Sequence, residues 1–185
     1  SADVTRARNF YDERGNVTRR YVPGEVGTVS PKGTVDFSYD GDNNMRVASV
    51  VGGSSESYYY ALAGTRTLAV RRNSTGAIDR VRLWHGGTEV WYTAFGTVAK
   101  TLAHVGLGSP IARIEDGKTV EYTHHSMLGN LIVSLDENGI ATAGFQYGAF
   151  GELLESTGDT DNHLRRFNGK EHDAVSQLAY YGYRY

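Results

Sequence analysis

A β-hairpin signal that returns after a little over twenty residues is the feature that most constrains the fold of this chain. In one copy, Leu131, Val133 and Leu135 occupy every second position, which is the two-residue period of a strand with one buried face. Asp136-Glu-Asn-Gly139 follows, and its Asn and Gly tolerate the positive φ of a tight turn. A second alternating strand is marked by Ala141, Ala143, Phe145 and Tyr147. This stretch is therefore predicted to be a β-hairpin.

The hairpin signal recurs at a nearly constant spacing. Similar motifs place Gly129 and Gly151 22 residues apart, and Tyr39 and Tyr60 lie 21 residues apart. A unit of this size cannot bury a hydrophobic face alone, so neighbouring units must stack and share one sheet. The chain also has 13 Tyr and 23 Gly but only 3 Pro, a composition typical of strands joined by tight turns. We predict an all-β chain of repeated antiparallel hairpins that form a curved or spiralling sheet, without a domain linker.

Other local signals divide the rest of the chain into short strands. Gly86-Gly87, between the runs Ile78–His85 and Thr88–Thr93, is a strong two-residue hairpin signal. Phe95–Val105 fits both helical and strand spacing, and its context favours a strand. Residues 20–33 contain two prolines and are predicted to be a loop, because proline cannot donate to a sheet ladder. Further turns are predicted at residues 12–16, 40–44, 52–55, 73–76 and 116–117.

The overall composition argues against several classes of function. Lys and Arg number 19 against 21 Asp and Glu, so no basic excess favours binding to nucleic acid. The chain has no Cys and therefore neither a disulfide nor a thiolate metal site. No run approaches the roughly 18 continuous apolar residues of a membrane span. We expect no nucleic-acid partner, no membrane span and no cofactor.

Short motifs give a resemblance to a known family. Tyr11-Asp-Glu-Arg-Gly-Asn-Val-Thr18 and Tyr39-Asp40 resemble the tyrosine-aspartate (YD) repeat of rearrangement-hotspot (RHS) proteins, insecticidal toxin-complex shells and teneurins. The chain from about Thr119 to Tyr185 is more specifically similar to the RHS repeat-associated core. The motifs that carry this second resemblance are Leu128-Gly-Asn, Asp136-Glu-Asn-Gly139, Phe150-Gly-Glu-Leu-Leu154, Arg166-Phe-Asn-Gly-Lys-Glu171, Asp173 and Leu178-Ala-Tyr-Tyr-Gly-Tyr-Arg-Tyr185.

Two departures from the family pattern affect acidic side chains. The family often has Asp-His where this chain has Ser126-Met127, and its common Tyr-Asp-Pro-Phe-Gly reads Tyr147-Gly-Ala-Phe-Gly151 here. We expect the fold to tolerate these changes better than a chemical role would. We assign residues 1–118 to loosely matching YD-repeat hairpins and residues 119–185 to the RHS core segment, in one continuous sheet.

The resemblance implies a structural function. In this family a β-sheet ribbon spirals into a hollow shell around a polymorphic C-terminal toxin, in a parent protein that is secreted or displayed at the cell surface. The implied partners are the remainder of the shell and the toxin domain. A self-cleaving segment, where the family has one, lies beyond Tyr185, so this chain is expected to be non-enzymatic. The family positions with a structural role are Tyr11, Asp12, Tyr39, Asp40, Gly129, Gly139, Gly151, Arg166, Phe167, Gly169, Lys170, Glu171, Tyr181, Gly182 and Arg184.

No catalytic or metal site is predicted. His124-His125 with Asp136 is a poor metal site, because adjacent side chains on a strand point to opposite faces. Asp40, Asp42 and Asn44 begin like a calcium loop but lack its later Gly and Glu, so a turn with Asp and Asn caps is the favoured interpretation. The run 159–162 is likewise interpreted as a solvated loop, with calcium as the alternative.

A binding module is the alternative function. Aromatic rings can stack on sugars, which predicts recognition of a glycan or a cell surface, although packing within the sheet is the favoured role of these rings. The possible glycan-stacking residues are Tyr58, Tyr60, Trp84, Trp91 and Tyr92.

Two further expectations concern the ends of the sheet. Arg165, Arg166, Lys170 and Arg184 are candidates to pair with Glu171 and Asp173 and so fix the C-terminal segment. Open strand edges are expected to pair with neighbouring segments of the shell or with a second copy of the chain.

Overall fold

Fourteen strands form one antiparallel sheet in which each strand pairs with its neighbours in sequence, from β1 to β14 without a crossover. The computed structural model describes residues 8–21, 33–62, 64–106, 111–149, 151, 153–160, 163, 165–173, 175–176 and 178–180. The strands are β1 (Arg8–Tyr11), β2 (Val17–Tyr21), β3 (Thr34–Tyr39), β4 (Met45–Val50), β5 (Ser55–Tyr60), β6 (Arg66–Arg72), β7 (Ile78–His85), β8 (Thr88–Thr93), β9 (Val98–Val105), β10 (Ala112–Glu115), β11 (Lys118–His125), β12 (Leu131–Leu135), β13 (Ala141–Tyr147) and β14 (Leu153–Gly158). The predicted all-β fold is confirmed.

A capped turn recurs between the strands. After β1, Asp12 Oδ1 accepts hydrogen bonds from the backbone N–H groups of Arg14 at 2.9 Å and Asn16 at 2.8 Å. Gly15 then adopts a φ of 82°, which an L-residue with a side chain rarely adopts. In four later turns, the capping position of Asp12 is occupied by Asp40, Asn73, Ser126 and Asp136. A serine hydroxyl thus replaces the family's aspartate as the cap, and the turn is retained.

Most local sequence predictions are confirmed. The strands on either side of Gly86-Gly87 pair directly, with His85 opposite Thr88. The ambiguous stretch Phe95–Val105 contains β9 and no described helix. The sheet continues through β11 across the proposed boundary between residues 118 and 119, and that division of the chain stays a prediction. Residues 22–32 of the predicted loop lie outside the described residues.

The expected alternation in β12 is wrong. Leu131 and Ser134 are the buried residues, at 1% and 0% exposure, whereas Val133 and Leu135 are half-buried. The register of β12 shifts against both of its neighbours, so the first and fourth residues of the strand face the same side. Two other strands that follow a turn show the same spacing, with Met45 and Ala48 in β4 and Arg66 and Ala69 in β6.

The chain after β14 folds back over one face of the sheet. We call residues 163–180 the strap; it contains a short 3₁₀ turn (Phe167–Gly169) and the small hairpin of β15 (Glu171–His172) and β16 (Ala179–Tyr180). Val175 of the strap joins the larger core cluster, which otherwise comes from β3 to β6: Val35, Phe37, Met45, Ala48, Tyr58 and Ala69. A smaller cluster consists of Leu131, Ala143 and Phe145. The strap is therefore part of the core.

Candidate functional site

The strap covers a buried cluster of charged side chains on β5 to β8. Arg82 of β7 lies 3.0 Å from Glu56 of β5 and 2.9 Å from Glu171 of the strap. Arg66 of β6 lies 2.7 Å from the same Glu171 oxygen, and Asp173 lies within 3.8 Å of both arginines. The relative exposure of these side chains does not exceed 8%. Two arginines of the sheet and two carboxylates of the strap thus form one ionic cluster.

Aromatic rings surround the arginines. The Arg66 guanidinium carbon lies 4.4 Å from the ring centroids of both Trp84 and Tyr180, and 5.4 Å from that of Tyr58. Arg82 lies 4.8 Å from the Trp84 ring. Guanidinium groups are weakly hydrated and stack well on such rings, so this site favours arginine over lysine.

The cluster contains more negative than positive groups. Glu89 of β8 lies 3.7 Å from Arg82, so four buried carboxyl groups face two guanidinium groups. Burial raises the pKa of Glu56 to about 7; Arg82 opposes this rise, whereas Asp173 adds to it. Burial also raises the pKa of Glu89, with Glu171 adding to the effect and Arg82 opposing it. A buried cluster with this excess of carboxyl groups favours protonation of some of them.

A second polar cluster joins the start of the strap to β10–β13. Arg113 and His163 each lie within 3.0 Å of Glu121, and Thr142 donates a hydrogen bond to Glu121 at 2.6 Å. Burial disfavours ionisation of Glu121, but the hydrogen bonds from His163 and Thr142 and the charge of Arg113 outweigh it and lower its pKa to about 2. Glu121 is therefore a stable carboxylate that fixes His163.

Tyrosine hydroxyl groups connect successive hairpins. Tyr39 donates to the carbonyl oxygen of Val17 at 2.9 Å, and Tyr60 donates to that of Met45 at 2.7 Å. Val17, Met45 and Arg66 are the first residues of β2, β4 and β6 and hold equivalent positions after their turns. The N–H of Arg66 donates to Tyr180 at 3.0 Å. The strap thus supplies a tyrosine at the third equivalent position, where its hydroxyl group accepts from the backbone N–H and does not donate to the carbonyl oxygen.

Glycines near the strap allow close contact. A Cβ atom at Gly151 would lie 2.6 Å from the Phe167 ring, and the Gly151 φ of 87° is also unfavourable for other residues. Phe167 packs against Tyr147 with ring centroids 5.7 Å apart. The backbone N–H of Asn168 donates to the Asn130 side chain at 2.8 Å. The strap residues Phe167 and Asn168, which belong to a motif of the predicted RHS core, therefore contact two turns of the sheet.

The remaining family positions have local roles. Gly129 and Gly139 adopt positive φ in turns, and so does Gly169 in the strap. Arg166 donates to two backbone carbonyl oxygens, those of His163 and Thr160. Lys170 accepts the backbone hydrogen bond of Arg166. Tyr11 is exposed, and Tyr181, Gly182 and Arg184 lie outside the described residues.

The predicted aromatic platform is not a shared exposed surface. Tyr58 is 0% exposed and Trp91 is 8% exposed, so neither offers a free ring face to a sugar. Trp84 stacks with Arg66 and Arg82, and Tyr60 is half-buried in its hydrogen bond to Met45. Tyr92 is half-buried and neighbours buried Trp91 on the strand, so its side chain faces the opposite side of the sheet. Glycan binding by the chain as a whole stays a prediction.

The strap carboxylates have partners that were not predicted. Glu171 and Asp173 were expected to pair with cations near the C-terminus, whereas Arg66 and Arg82 of the sheet lie 2.7 and 2.9 Å from Glu171 and within 3.8 Å of Asp173. The sequence held one signal for a buried charge at this position: Arg82 stands between two apolar residues, Val81 and Leu83. Such a position predicts a buried charge only if a partner is known, and that partner lies 89 residues away.

Neither a candidate metal site nor a membrane-spanning helix occurs among the residues that the structure describes. In the part of the chain that the structure describes, no group of three or more His, Asp or Glu side chains could hold a metal ion. The Asp40 carboxylate accepts backbone hydrogen bonds from its own turn, as the capped-turn interpretation predicts. Among the described residues there is no helix with the length and hydropathy of a membrane span.

Known structures with the same architecture were found by structural comparison. In the crystal structure of TcdB2-TccC3-Cdc42, 97% of this chain aligns with 11% of the matched chain, at a TM-score of 0.66 and 16% identity. A Tc holotoxin pore from Photorhabdus luminescens gives a TM-score of 0.65 at 17% identity, again over 97% of this chain and 11% of that one. The crystal structure of TcdB2-TccC3 gives 0.63 at 16% identity, over 97% and 12%.

This chain has the fold of an RHS/YD-repeat segment. No protein-family model matches its sequence, and no curated protein matches it either. The RHS/YD-repeat fold is therefore identified from the order and pairing of the strands, together with the motifs in the sequence. The chain spans only 11–12% of the length of the structures compared above.

Proposed function

We propose that this chain is a scaffold segment of a β-shell that encapsulates or presents a C-terminal toxin. The observation that carries the proposal is the uninterrupted order of the fourteen strands, each paired with its neighbours in sequence. The similarity of this fold to chains in Tc toxin structures supports the same function. The parent protein is accordingly secreted, and its activity resides in the toxin domain.

The number of strands in the sheet supports a shell. Strands twist, and open sheets of more than about ten strands curl, split or flatten. Fourteen strands in one meander exceed that size, and the described residues of the strap pack on one of its faces. A ribbon that curls and continues into neighbouring segments encloses space without any need for a catalytic group.

The two edges of the sheet support continuation of the ribbon. All residues of β1 and all residues of β14 are exposed, and each strand pairs with one described neighbour. An exposed edge presents unpaired N–H and C=O groups to any extended chain. The partners of these edges in the parent are the preceding and following parts of the shell. An isolated segment instead self-associates through them.

The buried charges favour a structural role. Arg66 pairs with Glu171 of the strap, Arg82 pairs with Glu56 of β5, and Arg113 pairs with Glu121. Each of these arginines thus has a carboxylate partner within the fold. We infer a non-enzymatic segment whose charged residues position the strap.

A protease-protection experiment on the parent protein tests the proposal. Ala69 is 0% exposed at the centre of the covered face, so Ala69→Asp places a charge in the core and opens the wall. Ala99→Asp, at an exposed position of β9, is the matched control. We expect an added protease to degrade the toxin domain in Ala69→Asp and to leave it intact in the wild type and the control. Equal degradation in all three proteins would overturn the shell proposal.

A further inference from the structure

A group of cations lies beside the ionic cluster, on the same face of the sheet as the strap. We call Arg71 of β6, Arg80 of β7 and Lys100 of β9, together with Trp91 of β8, the Trp91 patch. The Arg80 guanidinium carbon lies 4.5 Å from the Trp91 ring centroid, and the Lys100 ammonium lies 4.2 Å from it. Trp91 is buried, whereas the three cations are half-buried. The cations, rather than the ring, are therefore accessible to a partner.

Arg80 has no anionic partner of its own. Among the described residues, its guanidinium group makes no hydrogen bond and no ion pair. The carboxylates of Glu56 and Asp79 act on it only over a longer distance. Each of them lies closer to another arginine, Glu56 at 3.0 Å from Arg82 and Asp79 at 3.4 Å from Arg71. Arg80 thus offers the N–H donors of a guanidinium group to an external acceptor.

The strand register places a second cation directly against Arg80. Arg71 and Arg80 are opposite each other in the β6–β7 pair. Like charges at directly opposed positions destabilise a sheet. Burial lowers the pKa of Arg80, and the charges of Arg71 and Arg82 add to this effect. The fold therefore retains a repulsive pair that an external anion would relieve.

The strap shows how a site of this kind binds a carboxylate. Arg66 and Arg82 lie 4.4 and 4.8 Å from the Trp84 ring, so this tryptophan also has two cations stacked on it. Glu171 of β15 in the strap lies 2.7 Å from Arg66 and 2.9 Å from Arg82. The fold thus already contains one tryptophan with two stacked cations that receives a carboxylate from an extended segment.

We propose that the Trp91 patch is a docking site for an acidic, extended polypeptide segment whose carboxylates pair with Arg80 and Lys100 beside the strap. This inference goes beyond the proposed shell function and does not depend on it. It assigns a partner of defined chemistry to a surface of the sheet that the ionic cluster does not use.

The spacing of the cations fits such a segment. Arg80 and Lys100 belong to strands that are separated by β8, so their backbones are about 10 Å apart. Alternate side chains of an extended chain are about 7 Å apart on one side, and the length of two glutamate side chains covers the difference. The net charge of −2 provides no general attraction for a nucleic acid. The expected partner therefore has acidic residues at positions i and i+2.

Binding of a defined peptide to the full chain tests the proposal. The probe is a fluorescently labelled peptide of alternating glutamate and serine, and the control peptide has glutamine in place of glutamate. We expect the anisotropy of the acidic peptide to rise on binding, an effect that added salt suppresses, and that of the control peptide to stay constant. Equal binding of both peptides, binding of neither, or tighter binding of a single-stranded oligonucleotide of equal charge would overturn the proposal.

Two arginine variants locate the site. Arg80→Gln should weaken binding about tenfold, the effect typical of losing a hydrogen bond between charged groups. Arg46→Gln is the matched control, because Arg46 also stacks on an aromatic ring, that of Tyr59 at 5.3 Å. Tyr59 follows buried Tyr58 on β5, so this pair lies on the opposite face of the sheet. Arg46→Gln should bind like the wild type, and equal weakening in both variants would overturn the proposal.

Nuclear magnetic resonance locates the peptide on the wild type, and so applies even if Arg80→Gln fails to fold. With a nitroxide on the acidic peptide, we expect the amide signals of Arg80, Trp91 and Lys100 to broaden. The signals of β12 and β13 should stay sharp and serve as the internal reference. Broadening that spares the three patch residues would overturn the proposal.

Discussion

Tyr180, in the last described strand, accepts a hydrogen bond at 3.0 Å from the backbone N–H of Arg66, 114 residues earlier in the chain. The same hydroxyl group lies 3.3 Å from the Gly64 carbonyl oxygen. Equivalent positions in the two preceding hairpins receive tyrosines from the sheet itself, Tyr39 and Tyr60. The strap therefore supplies a tyrosine to the third of these positions, where its hydroxyl group accepts from a backbone N–H group instead of donating to a carbonyl oxygen.

Loss of this hydroxyl group should destabilise the chain. Tyr180→Phe leaves the ring against Arg66 but leaves its half-buried backbone N–H without this acceptor, which costs about 1–3 kcal/mol. Urea unfolding measures the change. Tyr122→Phe removes a hydroxyl group from a side chain that is 48% exposed and is the matched control, with an expected change within about 0.5 kcal/mol. Equal effects of the two substitutions would contradict the assigned contact.

A pair of glycine substitutions tests the contact between Phe167 and the sheet. Gly151→Ala places a Cβ atom 2.6 Å from the Phe167 ring at a φ of 87°, whereas Gly139→Ala, at a φ of 78°, meets no atom within 4 Å. Both variants incur the left-handed backbone cost of about 1–2 kcal/mol. Only Gly151→Ala should lower the free energy of unfolding by more than this amount, as measured by urea unfolding. Phe167→Ala should remove the excess in a double-mutant cycle, and an undiminished excess would argue against the contact.

Removal of Arg82 should lower the stability of the folded protein, because this guanidinium group lies beside several buried carboxylates. Arg82→Met leaves Glu56 without its guanidinium partner and removes one of the two guanidinium groups that contact Glu171, and breaking a buried pair on one side costs about 3–5 kcal/mol. Arg82→Lys should restore only part of this stability, since an ammonium cannot contact both carboxylates in the same planar geometry. Arg14→Met, at an exposed turn residue, is the control. Thermal unfolding of the three variants distinguishes these outcomes.

Acid should destabilise the chain through His104. Burial, together with Arg165 and Arg113, lowers the pKa of His104 to about 4. A histidine with a lowered folded pKa binds its proton first in the unfolded chain, so stability is complete above about pH 6.5 and falls between there and about pH 4. His104→Asn should reduce the slope of stability against pH in this interval, whereas His85→Asn, at an exposed position, should not. Identical slopes in all three proteins would contradict this prediction.

Much of the fold could be predicted because its determinants are local. Asp12 and Asp136 form hydrogen bonds with residues two and four positions later, so each turn is specified by its own sequence. Likewise, Gly86-Gly87 directly predicts the β7–β8 hairpin. Once every turn is identified, an antiparallel meander follows from the short connections.

The buried site could not be predicted in the same way, because its contacts are non-local. Arg66 and Arg82 resemble exposed strand arginines in the sequence, and only the strap, about ninety or more residues away, makes them buried. Leu131, Val133 and Leu135 were predicted to share one buried face, but a register shift in β12 interrupts the two-residue period. The burial of Tyr58 and Trp91 agrees with packing within the sheet, the role that the sequence favoured for these rings.

Electron cryomicroscopy of the parent protein tests the central claim most directly. The account predicts that β1 pairs with a strand from the preceding chain and β14 with a strand from the following chain, in one curved wall with the strap on its covered face. A closed domain in which both edge strands face solvent, separate from any enclosed toxin, would contradict the account.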